Sequence, residues 1–201
     1  SDIHVDGIPV DAPQPTRLWR YYKPTGLLCT NNDPKGRPTI FDRLPKCLPR
    51  TMSVGRLDFD SEGLLLLTND GEIARRLELP ETGWVRRYRA RCFGHPSADD
   101  LSALAKGLTV DGEKFGSIEA GIDTARGANT WLTVSLREGK NREIRRAFEH
   151  LGYPVSRLIR VAYGPFQLGK LPKNAVEEVP QRVLADQLGF ERKRENRRRQ
   201  T

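Results

Sequence analysis

The chain predicts an α+β fold, and three observations carry that reading. The run Leu64 to Leu67, followed by Asn69-Asp70-Gly71, has the length and composition of a buried strand ending at a turn. Val85 to Phe93 alternates, with Arg87, Arg89 and Arg91 on one side and Tyr88, Ala90 and Cys92 on the other, which is the period of a strand with a basic face and an apolar one. Only a few short segments carry helical spacing, so strands are arranged around few helices.

Ile3 to Val10 reads as a strand, an Asp6-Gly7 turn and a second short strand, too small to fold alone, followed by a proline-punctuated linker to Pro15. Arg17 to Thr30 reads as a strand interrupted at Lys23-Pro24-Thr25-Gly26, where proline fixes one dihedral and glycine permits a positive one. Such a turn either brings a lysine and bare backbone to a ligand or is an ordinary hairpin bend. Asn31 to Arg50, with four prolines around Ile40, Phe41 and Leu44, predicts a long surface excursion with one short helix.

Beyond the leucine run, Glu72 to Leu79 places Ile73, Ala74 and Leu77 on one helical face behind an Asn69 or Asp70 cap, with Pro80 as the stop. Ser97 with Asp100 opens a helix carrying Leu101, Leu104, Ala105 and Leu108, and Val110-Asp111-Gly112 turns the chain back. Gly116 to Ala125 and Thr130 to Arg137 read as strands, the second with Leu132, Val134 and Leu136 inward. After Glu138-Gly139-Lys140, Asn141 is the expected cap of a helix whose Ile144, Ala147, Phe148 and Leu151 form one face before Gly152. Arg142 and Arg146, four apart, lie on another face. Tyr153 to Phe166 is a further apolar-basic segment closed by Tyr163-Gly164-Pro165, and Val183 to Phe190 a final short helix. Glu191 to Thr201 is a charged tail, expected to stay disordered until it meets RNA.

Composition narrows the function classes. Of 201 residues 37% are hydrophobic, enough for a core, while no run approaches the ~18 apolar residues of a membrane span. The N-terminus has no basic-then-apolar signal segment, so the expected compartment is the cytoplasm and no membrane partner is expected. Three cysteines (Cys29, Cys47, Cys92) and three histidines (His4, His95, His150) are scattered, which argues against a disulfide framework and a zinc site. The net charge is +8, of which the tail from Glu191 holds +4, and basic residues cluster again at Arg86 to Arg91 and at Lys140 to Arg146. A polyanion is the natural partner, nucleic acid ahead of membrane.

The chemistry concentrates in Gly55-Arg56-Leu57-Asp58-Phe59-Asp60-Ser61-Glu62-Gly63, three carboxylates between two glycines at the lip of the leucine strand. Asp58 to Gly63 matches the first six positions of a calcium loop, but the twelfth is Asn69 rather than a bidentate glutamate, and the residues between are an apolar strand. Neither Gly-x-x-x-x-Gly-Lys-Ser/Thr nor Gly-x-Gly-x-x-Gly occurs, which argues against ATP and dinucleotides. No histidine lies in a segment resembling a catalytic loop, so paired-base activation of a serine or cysteine is not supported. Carboxylate chemistry remains.

Gly55-Arg56-Leu57-Asp58, followed by Ser61-x-Gly63-Leu-Leu-Leu-Leu-Thr-Asn-Asp-Gly71, resembles the catalytic motif of bacterial rRNA pseudouridine synthases of the Rsu/RluB/RluE/RluF branch, the large-subunit RluB type above all. Lys23-Pro24-x-Gly26, Tyr88, and Glu138 to Arg146 through Gly164 are similar to that family in the same order, so the likeness covers most of residues 17 to 170. It implies a long, mixed, mostly antiparallel sheet in two subdomains flanked by helices, with a central cleft. Asp58 would be the catalytic aspartate, attacking the target uridine or taking a sugar proton as the base detaches, rotates and rejoins through carbon 5. A nearby cation keeps such a carboxylate ionised in an RNA-filled cleft. Arg142 is the first choice for that cation and Lys140 the second, the position matching Lys140 being basic in related branches. Tyr88 would stack on the flipped uracil and Arg56 engage phosphate or help open the helix. Lys23, Arg87, Arg89, Arg145 and Arg146 are expected on RNA, and Asp60 and Glu62 are read as structural or solvent-facing.

No cofactor or metal is implied, and the expected partner of this monomer is ribosomal RNA, 23S rather than 16S, or a ribosome-assembly intermediate. Ser61 stands where the motif often has threonine, which keeps the hydroxyl, and Tyr22 precedes Lys23 where a small polar residue is common. Many members begin with an RNA-binding S4 domain, of which Ile3 to Val10 resembles only the last hairpin. The expected organisation is therefore 1–15 as remnant or linker of such a module, 16–190 as the catalytic domain and 191–201 as the basic tail. A non-catalytic RNA-binding or ribosome-assembly protein retaining the fold is the alternative, and a carboxylate-dependent hydrolase the third reading.

Overall fold

The computed structural model describes residues 14–189, together with the backbone of two short paired strands, β1 (Ile3–Val5) and β2 (Ile8–Val10). Phe190 and the basic tail lie outside the described residues. From Leu18 onward the chain runs β3 (Leu18–Lys23), α1 (Ile40–Arg43), β4 (Met52–Val54), β5 (Glu62–Thr68), α2 (Gly71–Glu78), β6 (Arg86–Phe93) and α3 (Ala98–Lys106). It continues through β7 (Thr109–Val110), β8 (Glu113–Lys114), β9 (Glu119–Arg126), β10 (Asn129–Leu136), α4 (Glu143–His150), β11 (Val155–Tyr163), β12 (Phe166–Gln167), β13 (Val176–Glu178) and α5 (Gln181–Leu188). No helix among the described residues is long and apolar enough to cross a membrane.

The strands form a nine-stranded sheet in the order β13-β3-β5-β11-β6-β10-β9, with β4 added beside β5 and β12 beside β11. β7 and β8 pair only with each other. All pairings between these strands are antiparallel except β5 with β11. That parallel contact is two residues long, Glu62 opposite Ile159 and Gly63 opposite Arg160. The remainder of the same edge of β5, Leu66 to Thr68, is taken by β4. The sheet is thus two halves, β13-β3-β5-β4 and β11-β6-β10-β9, hinged on one short step.

Packing explains why the strands read as they do. In the first half both faces are covered: Leu18, Leu64 and Leu66 meet Ile73 and Leu77 of α2 and Leu184 and Leu188 of α5, while Trp19, Tyr21, Leu65 and Leu67 meet Ile40 of α1 and Leu57. A strand buried on both faces must be a continuous apolar run, and all seven residues of β5 are buried. In the second half Ala90, Cys92, Leu132 and Val134 pack under Leu104 of α3 and Phe148 of α4. The opposite face of this half carries the exposed Arg87 and Arg89, hence the alternation in β6.

Most caps follow expectation: Asp70 accepts the Glu72 N–H at 3.0 Å, and Ser97 with Asp100 forms the reciprocal capping box of α3. Three expectations change at the boundaries. α3 ends at Lys106, before Leu108, because Gly107 turns away at φ +92°. α5 starts two residues before Val183, at Gln181 after Pro180. The cap of α4 is Arg142 rather than Asn141, in the left-handed region at φ +51°. There the Glu143 carboxylate reaches back to the Lys140 N–H at 3.1 Å, and the Arg142 side chain is committed elsewhere.

Candidate active site

The segment joining β4 to β5 is held by its backbone. Gly55, at φ +68°, donates its N–H to Glu78 at 2.7 Å. Every carbonyl from residue 58 to residue 61 accepts a hydrogen bond: Asp58 from the Lys23 ammonium and the Ser61 N–H, both at 3.0 Å, and Phe59 from the Gly26 N–H at 2.8 Å. The Asp60 carbonyl accepts from Arg145 at 2.9 Å and that of Ser61 from Lys23 at 2.8 Å. A loop with every carbonyl satisfied has little freedom.

Lys23 makes this possible because β3 pairs it with Gly63, at the end of the same loop. It was expected on RNA, yet it is 0% exposed and its ammonium donates to the carbonyls of Pro24, Asp58 and Ser61. Burial lowers its pKa, opposed by Cys29 and by the carboxylates of Asp58, Asp60 and Glu62. The turn at Pro24 to Gly26 therefore brings lysine and bare backbone to the chain's own acidic loop.

Beside the loop lies a cleft of about 790 Å³, bounded by the loop, β6, β11 and the segment leading into α4. The Asp58 side chain stands at its lip, 36% exposed. Arg142 Nη1 is 3.8 Å from Asp58 Oδ2, while the same guanidinium forks onto both oxygens of Asp60 at 2.8 Å. These hydrogen bonds from Arg142 pull the Asp60 pKa down to about 2, with the charge of Arg145 adding to the effect. Arg145, expected on RNA, is instead an internal cation: its side chain is 11% exposed and its Nε, 3.7 Å from Asp60 Oδ1, has no hydrogen-bond partner. Lys140 also lines the cleft but is engaged elsewhere, donating to the Lys114 carbonyl and lying 3.6 Å from Glu138. Of the two cations named for Asp58, the fold brings Arg142 to it.

Tyr88 lines the cleft and packs against the apolar clusters of both halves. Arg56 is exposed on the cleft wall. Arg87 and Arg89, expected at the approaches, project from the opposite face of β6; Arg89 lies 4.8 Å over the Trp131 ring and 3.8 Å from Asp123. Arg146 is paired with Glu113 at 2.7 Å and stacked 4.9 Å over Phe115. Of the two readings of Asp60 and Glu62, structural or solvent-facing, their contacts fit the structural one. Glu62 is buried, accepting from the Tyr22 hydroxyl at 2.7 Å and from Arg157 at 2.8 Å, and these bonds hold its pKa low although burial pushes the other way.

Sequence reasoning passed over Arg160, which is buried at the cleft, donates to the Leu64 carbonyl at 2.8 Å and lies 5.0 Å over Tyr163. Between Ile159 and Val161 an arginine reads as the solvent side of an alternating strand, and the one signal against that is that it shares its face with Leu158 and Ala162. Among the described residues no group of three or more His, Cys, Asp or Glu side chains is placed to hold a metal. What the arrangement offers is one accessible carboxylate on a rigid loop, two guanidiniums near it and an aromatic wall.

Comparison with known proteins agrees with this geometry. Residues 17–150 match the model of the family described as RNA pseudouridylate synthase. An uncharacterized RNA pseudouridine synthase of Rickettsia bellii is 47% identical over 170 residues, covering 85% of this chain and 73% of that one. The ribosomal large subunit pseudouridine synthase B of Salmonella typhi is 44% identical over 180 residues, 89% of this chain and 62% of its own. A crystal structure of a pseudouridylate synthase superposes with a TM-score of 0.74 at 26% identity, over 88% of this chain and 75% of that one. The two-part mixed sheet is accordingly the pseudouridine synthase fold, and the chain belongs to the RNA pseudouridylate synthase family, enzymes that isomerise uridine to pseudouridine.

Proposed function

We propose that this enzyme acts on one uridine of ribosomal RNA, in the large subunit, with Asp58 as its catalytic carboxylate. The observation that carries the reading is the placement of Asp58, on a loop whose carbonyls are all held, at the lip of the cleft and 3.8 Å from Arg142. The large-subunit assignment is supported by the name of the Salmonella relative, a ribosomal large subunit pseudouridine synthase.

In this reading the uridine leaves its helix and enters the cleft against Tyr88. The bond between the ribose and N1 breaks, with Asp58 either attacking the sugar or taking a sugar proton. The uracil turns, a bond forms from the sugar to C5 as the Asp58–sugar bond breaks or the sugar proton is returned, and the C5 hydrogen is released to solvent while N1 gains a proton. Arg142, 3.8 Å from the Asp58 carboxylate, offers it a positive partner, and Arg56 meets phosphate. The chain's own groups suffice for each step, acting in a monomer in the cytoplasm.

The test is tritium release from 23S transcript carrying 5-tritiated uridine, with 16S transcript in parallel. The wild type is expected to release tritium from 23S alone, and Asp58→Ala and Asp58→Asn to lose at least about 10³-fold in rate, as for loss of a nucleophile. Release from 16S alone overturns the subunit assignment, and unchanged release by the variants overturns that of Asp58.

A further inference from the structure

We propose that the Phe59 ring is a stacking platform for a base of the substrate RNA adjacent to the uridine that enters the cleft. The inference rests on the reading of Asp58 as the catalytic residue. It starts from an exposed side chain in an unexpected place. Phe59 is 44% exposed, and of the exposed large apolar side chains among the described residues it is the one that lines the cleft, since Met52, Leu79, Phe93 and Ile122 lie elsewhere.

The ring is displayed by a fixed backbone. Its own carbonyl accepts from Gly26, and the carbonyls on either side accept from Lys23 and Arg145. Leu57, two residues earlier, is buried in the cluster with Tyr21 and Ile40, so the loop is pinned from below as well. Of the residues from 56 to 59, Leu57 points into the core, while Arg56 and Phe59 are exposed on either side of Asp58. Phe59 belongs to none of the apolar core clusters among the described residues, so the exposed part of its ring is available to a ligand.

The neighbours say what the ring would meet. Arg56 and Arg142 give the cleft mouth positive charge suited to a phosphate backbone, while of the other carboxylates lining the cleft Asp33 is paired with Arg37, Glu78 accepts from Gly55, Glu138 lies beside Lys140 and Glu143 is buried. A nucleotide that flips out of a helix leaves its neighbour without a stacking partner on one side. An aromatic face one residue from the carboxylate that receives the flipped nucleotide is positioned to replace that partner. Such stacking accepts any base, because every base has a π-face, so Phe59 would add affinity and register without reading sequence.

The experiment compares Phe59→Ala, Phe59→Leu and Phe59→Trp in the tritium assay on the 23S transcript. RNA affinity is measured separately in the Asp58→Asn background, where turnover does not interfere. Phe59→Ala and Phe59→Leu are expected to raise KM and the dissociation constant about tenfold, with kcat falling less than KM rises, and Phe59→Trp to restore wild-type values. Leucine that works as well as phenylalanine reduces the ring to a generic apolar contact and overturns the proposal. So does alanine with wild-type KM and affinity. An inactive wild type sinks the reading of the substrate instead, and the affinities in the Asp58→Asn background still decide whether the ring binds RNA.

Discussion

Glu143 shows most plainly how a single residue is set by its surroundings. It is 3% exposed at the start of α4; one carboxyl oxygen accepts the Lys140 N–H, and the other is buried with no partner. Burial, and then the neighbouring Glu138 carboxylate, pushes its pKa up to about 8, while Glu138 stays below its ordinary range. The Glu143 carboxyl thus favours its protonated form, and Glu138, beside Lys140, the anion. Since the folded pKa exceeds the ordinary 4.5, the contribution to stability is complete below about 4.5 and is lost as the pH rises through 8. Glu143→Gln has no proton to lose, so its melting temperature should gain on the wild type between pH 5 and pH 9. A constant difference between the two melting curves across that range would show that Glu143 is already ionised. Asp60 has the opposite sign: its stabilisation is present above its ordinary pKa and lost as the pH falls through about 2, and it is small because both partners are partly exposed. The placement of Asp58 and Tyr88 together at the cleft follows from features visible in the sequence, one sitting in a contiguous motif and the other on the inner side of an alternating strand. The choice between Arg142 and Lys140 could not be read there, since it depends on a left-handed residue that redirects the side chains at the start of α4. Nor could the burial of Lys23, whose carbonyl partners at 58 and 61 arrive from a loop 35 and 38 residues away.

At the level of the elements, the two halves of the sheet meet where β5 begins. Gly63 has φ +112°, and a Cβ there would stand 2.3 Å from the Arg160 carbonyl oxygen and 2.7 Å from its nitrogen. Both atoms are backbone, so no side-chain rotation relieves the clash. Gly63→Ala should therefore destabilise the protein by at least about 3 kcal/mol, combining a forbidden conformation with a broken parallel step. Denaturant unfolding measures it against Gly121→Ala in β9, where the added methyl meets nothing within 4 Å and φ is ordinary. That control should change stability by less than about 1 kcal/mol. Equal midpoints for the two variants would mean that the halves are not joined through Gly63. The existence of β5 was legible as an unbroken apolar run, and that of β6, β10 and the helices α2, α3 and α4 because each repeats at 2 or 3.6 residues. The parallel step was not legible, because two residues of register leave no periodicity. Neither were β12 and β13, which are two and three residues long and owe their state to the strands they join.

Across the whole molecule the balance of charge is tied to the substrate. The cleft side carries Arg56 and Arg142, the opposite sheet face carries Arg87 and Arg89, and half of the +8 net charge belongs to Glu191 to Thr201. Composition made a polyanion partner legible, but it could not divide the basic residues between RNA and internal pairing, because Arg145, Arg146 and Lys23 look the same in a sequence as Arg56. Inside the fold their charges are spent on Asp60, Glu113 and backbone carbonyls. The tail holds six basic residues against two acidic ones and should supply long-range attraction rather than chemistry. Each phosphate neutralised contributes about −0.7 to −0.9 to the slope of log K against log salt. Deleting residues 191–201 should flatten that slope by about three units, if the net charge of the tail is what meets phosphate, and should weaken binding most at low salt. If the tail supplies attraction alone, kcat at saturating RNA should stay within about twofold of the full chain. Filter binding from 50 to 300 mM salt, with the tritium assay at saturating transcript, separates the two effects. An unaltered slope would place all the phosphate contacts on the body of the protein, and a fall in kcat would mean that the tail orders the cleft.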